Sequence, residues 1–204
     1  MAYRETMENN GMEAGRAKNQ IPYCTVVLVA LNVILFLIGL ILPKAGEWME
    51  SEGCFSVVYL LYEHSGFYRL ITAAFLHADV EHLLNNMLLL YCCGDVVERC
   101  LGKVRFRILY FGSAIFGNLL SAAYELSTGS FYESIGASGA VFGLTGALLF
   151  LVIVKKGAAA GISLKRAVFA VVLSLYAGFG SAYVNNAAHV GGLLSGFLLG
   201  FLLS

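Results

Sequence analysis

The chain has 204 residues, of which 59% are hydrophobic and only 13% are charged, and its formal net charge is zero. Soluble domains carry roughly 25% charged residues, so this composition predicts a single integral membrane domain in contact with the lipid bilayer. The charge balance gives no indication of nucleic-acid binding. No cysteine and histidine spacing typical of a zinc site occurs, and we expect neither a metal nor a cofactor.

Hydropathy predicts six membrane-spanning helices, because a helix needs about 20 apolar residues to cross the hydrocarbon core. Residues 1–20 are polar and should form a cytoplasmic tail, without the features of a cleavable signal peptide. The remaining domain, 21–204, contains the predicted spans 21–42, 82–97, 104–126, 136–154, 167–184 and 188–204. The long first loop, 43–81, is too mixed to cross and should lie at the interface.

The basic residues indicate an orientation for these spans. Eleven of the thirteen Lys and Arg residues lie on one side of the membrane if both termini are cytoplasmic. The second, fourth and sixth spans then begin at the extracytoplasmic surface. Consequently His82 and Asn86, Ser138, and His189 should occupy the same depth on three different helices.

Small residues predict which spans pack most closely. Pairs of glycines four residues apart begin at Gly139 in the fourth span and at Gly192 in the sixth. Such pairs let the backbones of two membrane helices approach each other. We therefore expect Ser138 and His189 at the outer end of this contact, with Phe142 placed to pack against the imidazole.

The polar residues at this depth have the chemistry of a serine hydrolase. A serine hydroxyl is a poor nucleophile until a base takes its proton, and His189 is the only histidine on the last three spans. No acidic residue lies at this depth on the central helices, which indicates a Ser–His dyad. His82 and Asn86, at i and i+4, could donate hydrogen bonds to an oxyanion together with the backbone N–H of Ser138.

Three motifs carry a resemblance to a known family. They are His82-Leu83-Leu84-Asn85-Asn86, Gly136-Ala137-Ser138-Gly139 with Gly143, and Ala188-His189-Val190-Gly191-Gly192 with Gly196. In their order and spacing, the chain resembles the rhomboid family of intramembrane serine proteases, in its minimal six-helix, bacterial-type form. The resemblance implies an all-α membrane protein, a six-helix bundle with both termini in the cytoplasm.

The resemblance also implies roles for individual residues. Ser138 would be the nucleophile and His189 the general base, and the oxyanion hole would be formed by His82, Asn86 and Ser138. The expected supporting residues of the active site are Gly136, Gly139, Phe142 and Gly192. A water-filled cavity open to the outside would be closed to lipid by the first loop, and the fifth span, with the loop after it, would be the gate where a substrate helix enters. Tyr68-Arg69 stands where the family's first loop has a Trp-Arg pair.

The expected function is therefore cleavage of transmembrane or membrane-proximal segments of membrane proteins through an acyl-enzyme. The protein should reside in the cell membrane with its active site on the extracytoplasmic side. Two alternatives remain at this point. One is a catalytically inactive relative that binds membrane helices. The other is a small transporter with His82, Asn86 and His189 along its pathway, although the inverted repeats and broken helices typical of transporters are not found.

Overall fold

The computed structural model describes residues 21–62, 66–154, 172 and 184–204. Its longer helices are α1 (Tyr23–Ile41), α5 (Val80–Leu101), α6 (Lys103–Thr128), α7 (Ser138–Val154) and α8 (Asn186–Leu203). Between α1 and α5 lie the shorter helices α2 (Pro43–Gly53), α3 (Val57–Tyr62) and α4 (Arg69–Thr72), with 3-10 turns at Gly66–Tyr68 and Ala73–Phe75. The predicted all-helical fold is confirmed for this part of the chain.

Several of these helices suit a lipid environment. α1, α6 and α8 are each long and apolar enough to cross a membrane, and α7 is an apolar helix of 17 residues. α5 has 22 residues, which corresponds to roughly 33 Å of helix, but it also contains charged side chains. The protein is therefore membrane-embedded. The predicted fifth span, 167–184, falls outside the described residues apart from 172 and 184.

Helix boundaries differ from the predicted ones where local chemistry sets them. α5 begins at Val80, two residues before the predicted span, because Asp79 caps it: its carboxylate accepts a hydrogen bond from the backbone N–H of His82 at 2.7 Å. α7 begins at Ser138 rather than at the predicted residue Gly136, whose φ of 131° is not helical. The first loop contains three helices, and Pro43 occupies the first turn of α2, where its missing N–H is not needed.

The core is organised around α7, which is buried along most of its length. The backbone of α8 lies directly against the backbone of α7. A Cβ atom added at Gly192 would overlap the carbonyl oxygen of Gly139, and one added at Gly196 would overlap the backbone of Gly143. Glycine at these positions therefore permits a contact between α7 and α8 that any larger residue would prevent.

Arg69 holds the first loop together. The side chain is only 3% exposed, and its Nη1 donates hydrogen bonds to the carbonyl oxygens of Ser51 at 2.7 Å and Cys54 at 3.2 Å. Its guanidinium carbon lies 4.1 Å from the centre of the Tyr59 ring and 5.4 Å from that of Tyr68. Tyr68 thus contacts the arginine as an aromatic neighbour.

Glu98 joins α5 to the beginning of α1. Its carboxylate accepts hydrogen bonds from the backbone N–H groups of Cys24 and Thr25 and from the Thr25 hydroxyl, each at 2.8 Å. Glu98 is 4% exposed. The first N–H groups of a helix have no partner within the helix, so a carboxylate from another helix satisfies them and also complements the helix dipole. Glu98 is therefore a structural acid.

Replacing Glu98 by alanine should lower the free energy of unfolding by roughly 3 kcal/mol or more, because three charge-assisted hydrogen bonds are lost in a buried site. Asp95 provides the control on the same helix, since its carboxylate forms a partly exposed i,i+4 pair with Arg99 at 2.6 Å. Asp95→Ala should cost about 0.5 kcal/mol. Denaturation in detergent micelles measures both, and equal effects would contradict this role for Glu98.

Candidate active site

The segment that leads into Ser138 is held by the first loop. Phe55 and Ser134 exchange two backbone hydrogen bonds, of 2.9 and 2.7 Å. Two residues further on, the N–H of Gly136 donates to the carbonyl oxygen of Ala73 at 2.8 Å. Ser138 then begins α7, so its position depends on both the loop and the helix.

His82 and Ser138 meet at Gly136. A Cβ atom added to Gly136 would lie 2.8 Å from Nε2 of His82 and 3.7 Å from Oγ of Ser138. The imidazole therefore packs against the backbone immediately before the serine. Glycine is required at position 136 for two reasons. Its φ of 131° disfavours residues with a side chain, and the imidazole occupies the space that a side chain would need.

His189 lies in the first turn of α8 and is 8% exposed. Its ring stacks on that of Phe142, with ring centres 4.3 Å apart and an angle of 15° between the planes. Nδ1 has no hydrogen-bond partner among the described residues. Packing on Phe142 thus sets the ring orientation. This arrangement is compatible with a reaction in which the histidine acts without a carboxylate beside it.

The backbone next to Ser138 contacts the backbone next to His189. Gly139 follows the serine and Ala188 precedes the histidine. A Cβ atom at Gly139 would lie 3.7 Å from the carbonyl oxygen of Ala188, and one at Gly117 of α6 would lie 2.9 Å from the same oxygen. The two residues of the predicted dyad therefore extend from adjoining stretches of backbone where three helices meet.

Asn86 lies one helical turn after His82 and is 6% exposed. Its Nδ2 donates a hydrogen bond to the carbonyl oxygen of His82 at 2.9 Å. A side-chain amide has two hydrogen atoms to donate, so one remains for a further acceptor. The contact links Asn86 to His82; among the described contacts none links it directly to Ser138.

A small cavity of about 20 Å³ lies beside Ser138, which is enough space for about one water molecule. Its polar lining comes from Asn118, Ser134, Ser138 and Asn185. A water needs two to four polar partners to be held in a buried site, and this set can supply them.

Two residues near the site were not singled out from the sequence. The ring of His77 lies edge-on to that of His82, with centres 5.0 Å apart, and burial lowers the pKa of His77 from 6.5 to about 4, so it is neutral at pH 7. Asn185 caps α8, accepting a hydrogen bond from the N–H of Ala188 at 3.0 Å. Its place before an apolar run, four residues from His189, is the signal that could have identified it.

Comparison with known proteins decides the family. The model of the Rhomboid domain matches residues 64–204, well over half of the chain. The chain belongs to the rhomboid family. This confirms the family resemblance predicted from the three motifs, and all three lie inside the matched region of this rhomboid.

Three relatives illustrate the relationship. Over 181 residues the chain is 38% identical to YdcA of Bacillus subtilis (strain 168), whose name describes it as a candidate rhomboid protease; the match covers 89% of this rhomboid and 88% of YdcA. It is 31% identical to the rhomboid protease GluP of the same organism, over 93% of this rhomboid but 36% of GluP. It is 38% identical to RHOMBOID-like protein 1 of Arabidopsis thaliana, over 76% and 39% of the two chains.

The relationship places this rhomboid in a family of membrane-embedded proteases, which are hydrolases. This chain spans little more than one third of GluP and of the Arabidopsis protein. The roles of Ser138, His189, His82 and Asn86 are not assigned by these similarities and stay predictions.

Proposed function

We propose that this rhomboid is an intramembrane serine endopeptidase that uses Ser138 and His189 as a catalytic dyad. The observation that carries the proposal is the contact between Gly139 and Ala188, which brings together the backbone on either side of the two residues. The His82 imidazole lies against Gly136, two residues before Ser138. A serine, a base and a donor around one point are the parts that acyl transfer requires.

In the proposed reaction, Nε2 of His189 takes the proton of the Ser138 hydroxyl as Oγ attacks the substrate carbonyl carbon. The carbonyl oxygen becomes an oxyanion, which accepts hydrogen bonds from His82, Asn86 and the backbone N–H of Ser138. The C–N bond then breaks, and His189 gives its proton to the leaving amine. An acyl ester on Ser138 remains, and water activated by His189 hydrolyses it.

The surrounding residues support this reaction. Phe142 stacks on the imidazole of His189, while Gly139 and Gly192 let the backbones of α7 and α8 approach each other closely. Gly136 gives His82 the space it needs beside the serine. The small cavity beside Ser138 is suited to hold the water that hydrolyses the acyl ester. No step requires a metal or a cofactor.

The proposed placement in the membrane follows from the distribution of charge. The domain 21–204 would cross the cell membrane six times behind a cytoplasmic tail, 1–20, with both termini in the cytoplasm. Ser138, His82 and His189 would then face the extracytoplasmic side. The first loop, organised by Arg69, would lie at the interface and separate the site from lipid.

The substrates would be membrane proteins with a single span that unwinds near the outer surface. An intact helix keeps its carbonyl groups in hydrogen bonds, so a helix-breaking residue near the cleaved bond should be needed. The test uses this rhomboid in proteoliposomes with two single-span reporters that differ only by a Gly-Pro or a Leu-Leu pair. Cleavage of the Gly-Pro reporter alone is expected. Binding of both without cleavage would favour a helix-binding protein without activity, and vesicle uptake of solutes would favour a transporter.

Replacing His82 by alanine should lower kcat by about 10²-fold or more while KM changes little, because an oxyanion donor acts in the transition state and not in substrate binding. His77→Ala is the matched control, since His77 contacts the ring of His82 but is not among the residues nearest to a Cβ atom at Gly136. Its effect on kcat should be less than about tenfold. Steady-state cleavage rates in detergent measure both variants. A His82→Ala enzyme with unchanged kcat would contradict this role.

A further inference from the structure

Asn185 uses every hydrogen-bonding group of its side chain. Its Oδ1 accepts from the N–H of Ala188 at 3.0 Å, which fixes the start of α8, and at 3.5 Å from the hydroxyl of Tyr132. Its Nδ2 donates to the hydroxyl of Ser121 at 2.7 Å and to the hydroxyl of Ser134 at 2.7 Å. The backbone carbonyl of Asn185 also accepts from the N–H of His189, at 3.2 Å. One residue thus connects α8 to α6 and to the segment before α7.

The connection continues to a buried acid. The Ser121 hydroxyl donates to Oε1 of Glu125 at 3.0 Å, and both residues are completely buried in α6. The other carboxylate oxygen, Oε2, has no close hydrogen-bond partner among the described residues, and the backbone N–H groups of Val57 and Tyr132 also face the carboxylate. Burial of a carboxyl group costs desolvation free energy unless it is hydrogen-bonded. Here the hydrogen bond from Ser121 fixes the orientation of that hydroxyl, so that one of its oxygen lone pairs faces Asn185.

We call the four residues Asn185, Ser121, Glu125 and Ser134 the Asn185 network. Its hydrogen bonds have a defined donor-to-acceptor direction. Protons point from the amide of Asn185 to Ser121 and from Ser121 to Glu125. The N-cap contact with Ala188 determines which end of the amide is the oxygen, because only Oδ1 can accept from a backbone N–H. The fourth member, Ser134, lies four residues before Ser138, in the strand-like segment that Phe55 holds.

The network therefore connects the segment that precedes Ser138 to the helix that carries His189. One side carries His189 four residues after Asn185, and the other carries Ser138 four residues after Ser134. We propose that the Asn185 network is a positioning device that sets His189 at the correct distance from Ser138 for proton transfer. The inference rests on the proposed function, since it assigns a role in the same reaction. Its members are positioning residues, and none touches the substrate.

The donor-to-acceptor direction of the hydrogen bonds from Asn185 through Ser121 to Glu125 provides a sharp test. In N185D the cap on Ala188 is retained, but the amide hydrogens are lost and a second carboxylate is introduced near Glu125. Ser121 can then donate to only one of the two acids, so the chain breaks. In the double variant N185D/E125Q the new amide can donate to Ser121, and Ser121 can donate to the new carboxylate. The series of hydrogen bonds between positions 185, 121 and 125 is thereby restored, with donors and acceptors exchanged.

The measurement is the rate at which a fluorophosphonate labels Ser138, per folded protein, together with kcat and KM for the cleavable reporter. We expect N185D to slow labelling and kcat by about 10²-fold with KM within about twofold, because small misplacements of reacting groups cost that much. The double variant should recover at least about tenfold of the loss. Ser121→Ala, a milder change that leaves the cap intact, should slow labelling by about tenfold. Ser127→Ala is the control on α6, since the described hydrogen bond of that exposed hydroxyl stays within its own helix, at 2.8 Å from the Tyr124 oxygen.

Wild-type labelling rates in N185D and Ser121→Ala, or a double variant no faster than N185D, would overturn the inference. Hydrogen exchange of the Ala188 and His189 amides, followed in the same proteins, requires no catalysis. Faster exchange in N185D that returns toward wild type in the double variant is expected, and unchanged exchange would overturn the inference. A wild-type protein that neither labels nor cleaves would instead refute the proposed function, and the exchange experiment would still test the network.

Discussion

Replacing Ser138 by alanine should abolish proteolysis, with a fall in the cleavage rate of at least about 10⁴-fold. The proposed reaction proceeds through an ester on Oγ of Ser138, which lies beside Gly136 at the start of α7. The fold should survive, because the side chain is partly exposed at the helix terminus and alanine is a good helix former. Cleavage of the Gly-Pro reporter in proteoliposomes gives the rate, and the thermal midpoint reports the fold.

Ser195→Ala provides the comparison for that experiment. Ser195 lies in α8, and its hydroxyl donates to the carbonyl oxygen of Gly192 in its own helix at 3.0 Å. Its loss should change the cleavage rate by less than about threefold, because such a hydrogen bond contributes little. A Ser138→Ala protein that cleaves at one tenth of the wild-type rate would show that another group is the nucleophile.

Replacing Gly196 by alanine should lower the free energy of unfolding by about 2–3 kcal/mol and activity by about 10²-fold. The new methyl group would overlap the backbone of Gly143, so α7 and α8 must separate. Helix propensity alone favours alanine over glycine by about 1 kcal/mol. The two effects have opposite signs, and the overlap decides the outcome because backbone atoms cannot rotate out of the way. Ser138 and His189 lie on the two separating helices.

Gly112→Ala isolates the propensity effect. At this position on α6 an added Cβ would meet, among the described residues, only the end of the flexible Leu199 side chain, at 3.0 Å. The substitution should therefore be neutral or slightly stabilising, and activity should be retained. Denaturation and reporter cleavage measured on both variants decide the matter. A Gly196→Ala protein as stable and as active as wild type would refute the close approach of α7 and α8.

The sequence predicted those features that depend on local composition. Apolar runs of sufficient length mark α1, α6, α7 and α8, and spaced glycines marked the contact between the last two. The motifs around Ser138 and His189 identified the family. These signals are local because helix formation in lipid requires only that one segment be apolar and satisfy its own backbone.

Features that depend on distant partners were not predicted. Glu98 caps a helix whose first residues lie more than 70 positions earlier in the sequence, and hydropathy contains no trace of that pairing. Asn185, Ser121 and Glu125 read individually as ordinary polar residues, and only their approach in space shows a connected network. The start of α7 was placed two residues early because the sequence does not show that Gly136 has a positive φ and packs against His82.

The most direct test of the proposed dyad is labelling of the protein in native membranes with a fluorophosphonate, followed by mapping of the modified peptide. The proposed dyad predicts a single adduct on Ser138 in the wild type, no adduct in Ser138→Ala, and labelling at least about 10³-fold slower in His189→Ala, because the hydroxyl then lacks its base. An unlabelled wild-type protein, or equal labelling rates with and without His189, would contradict it.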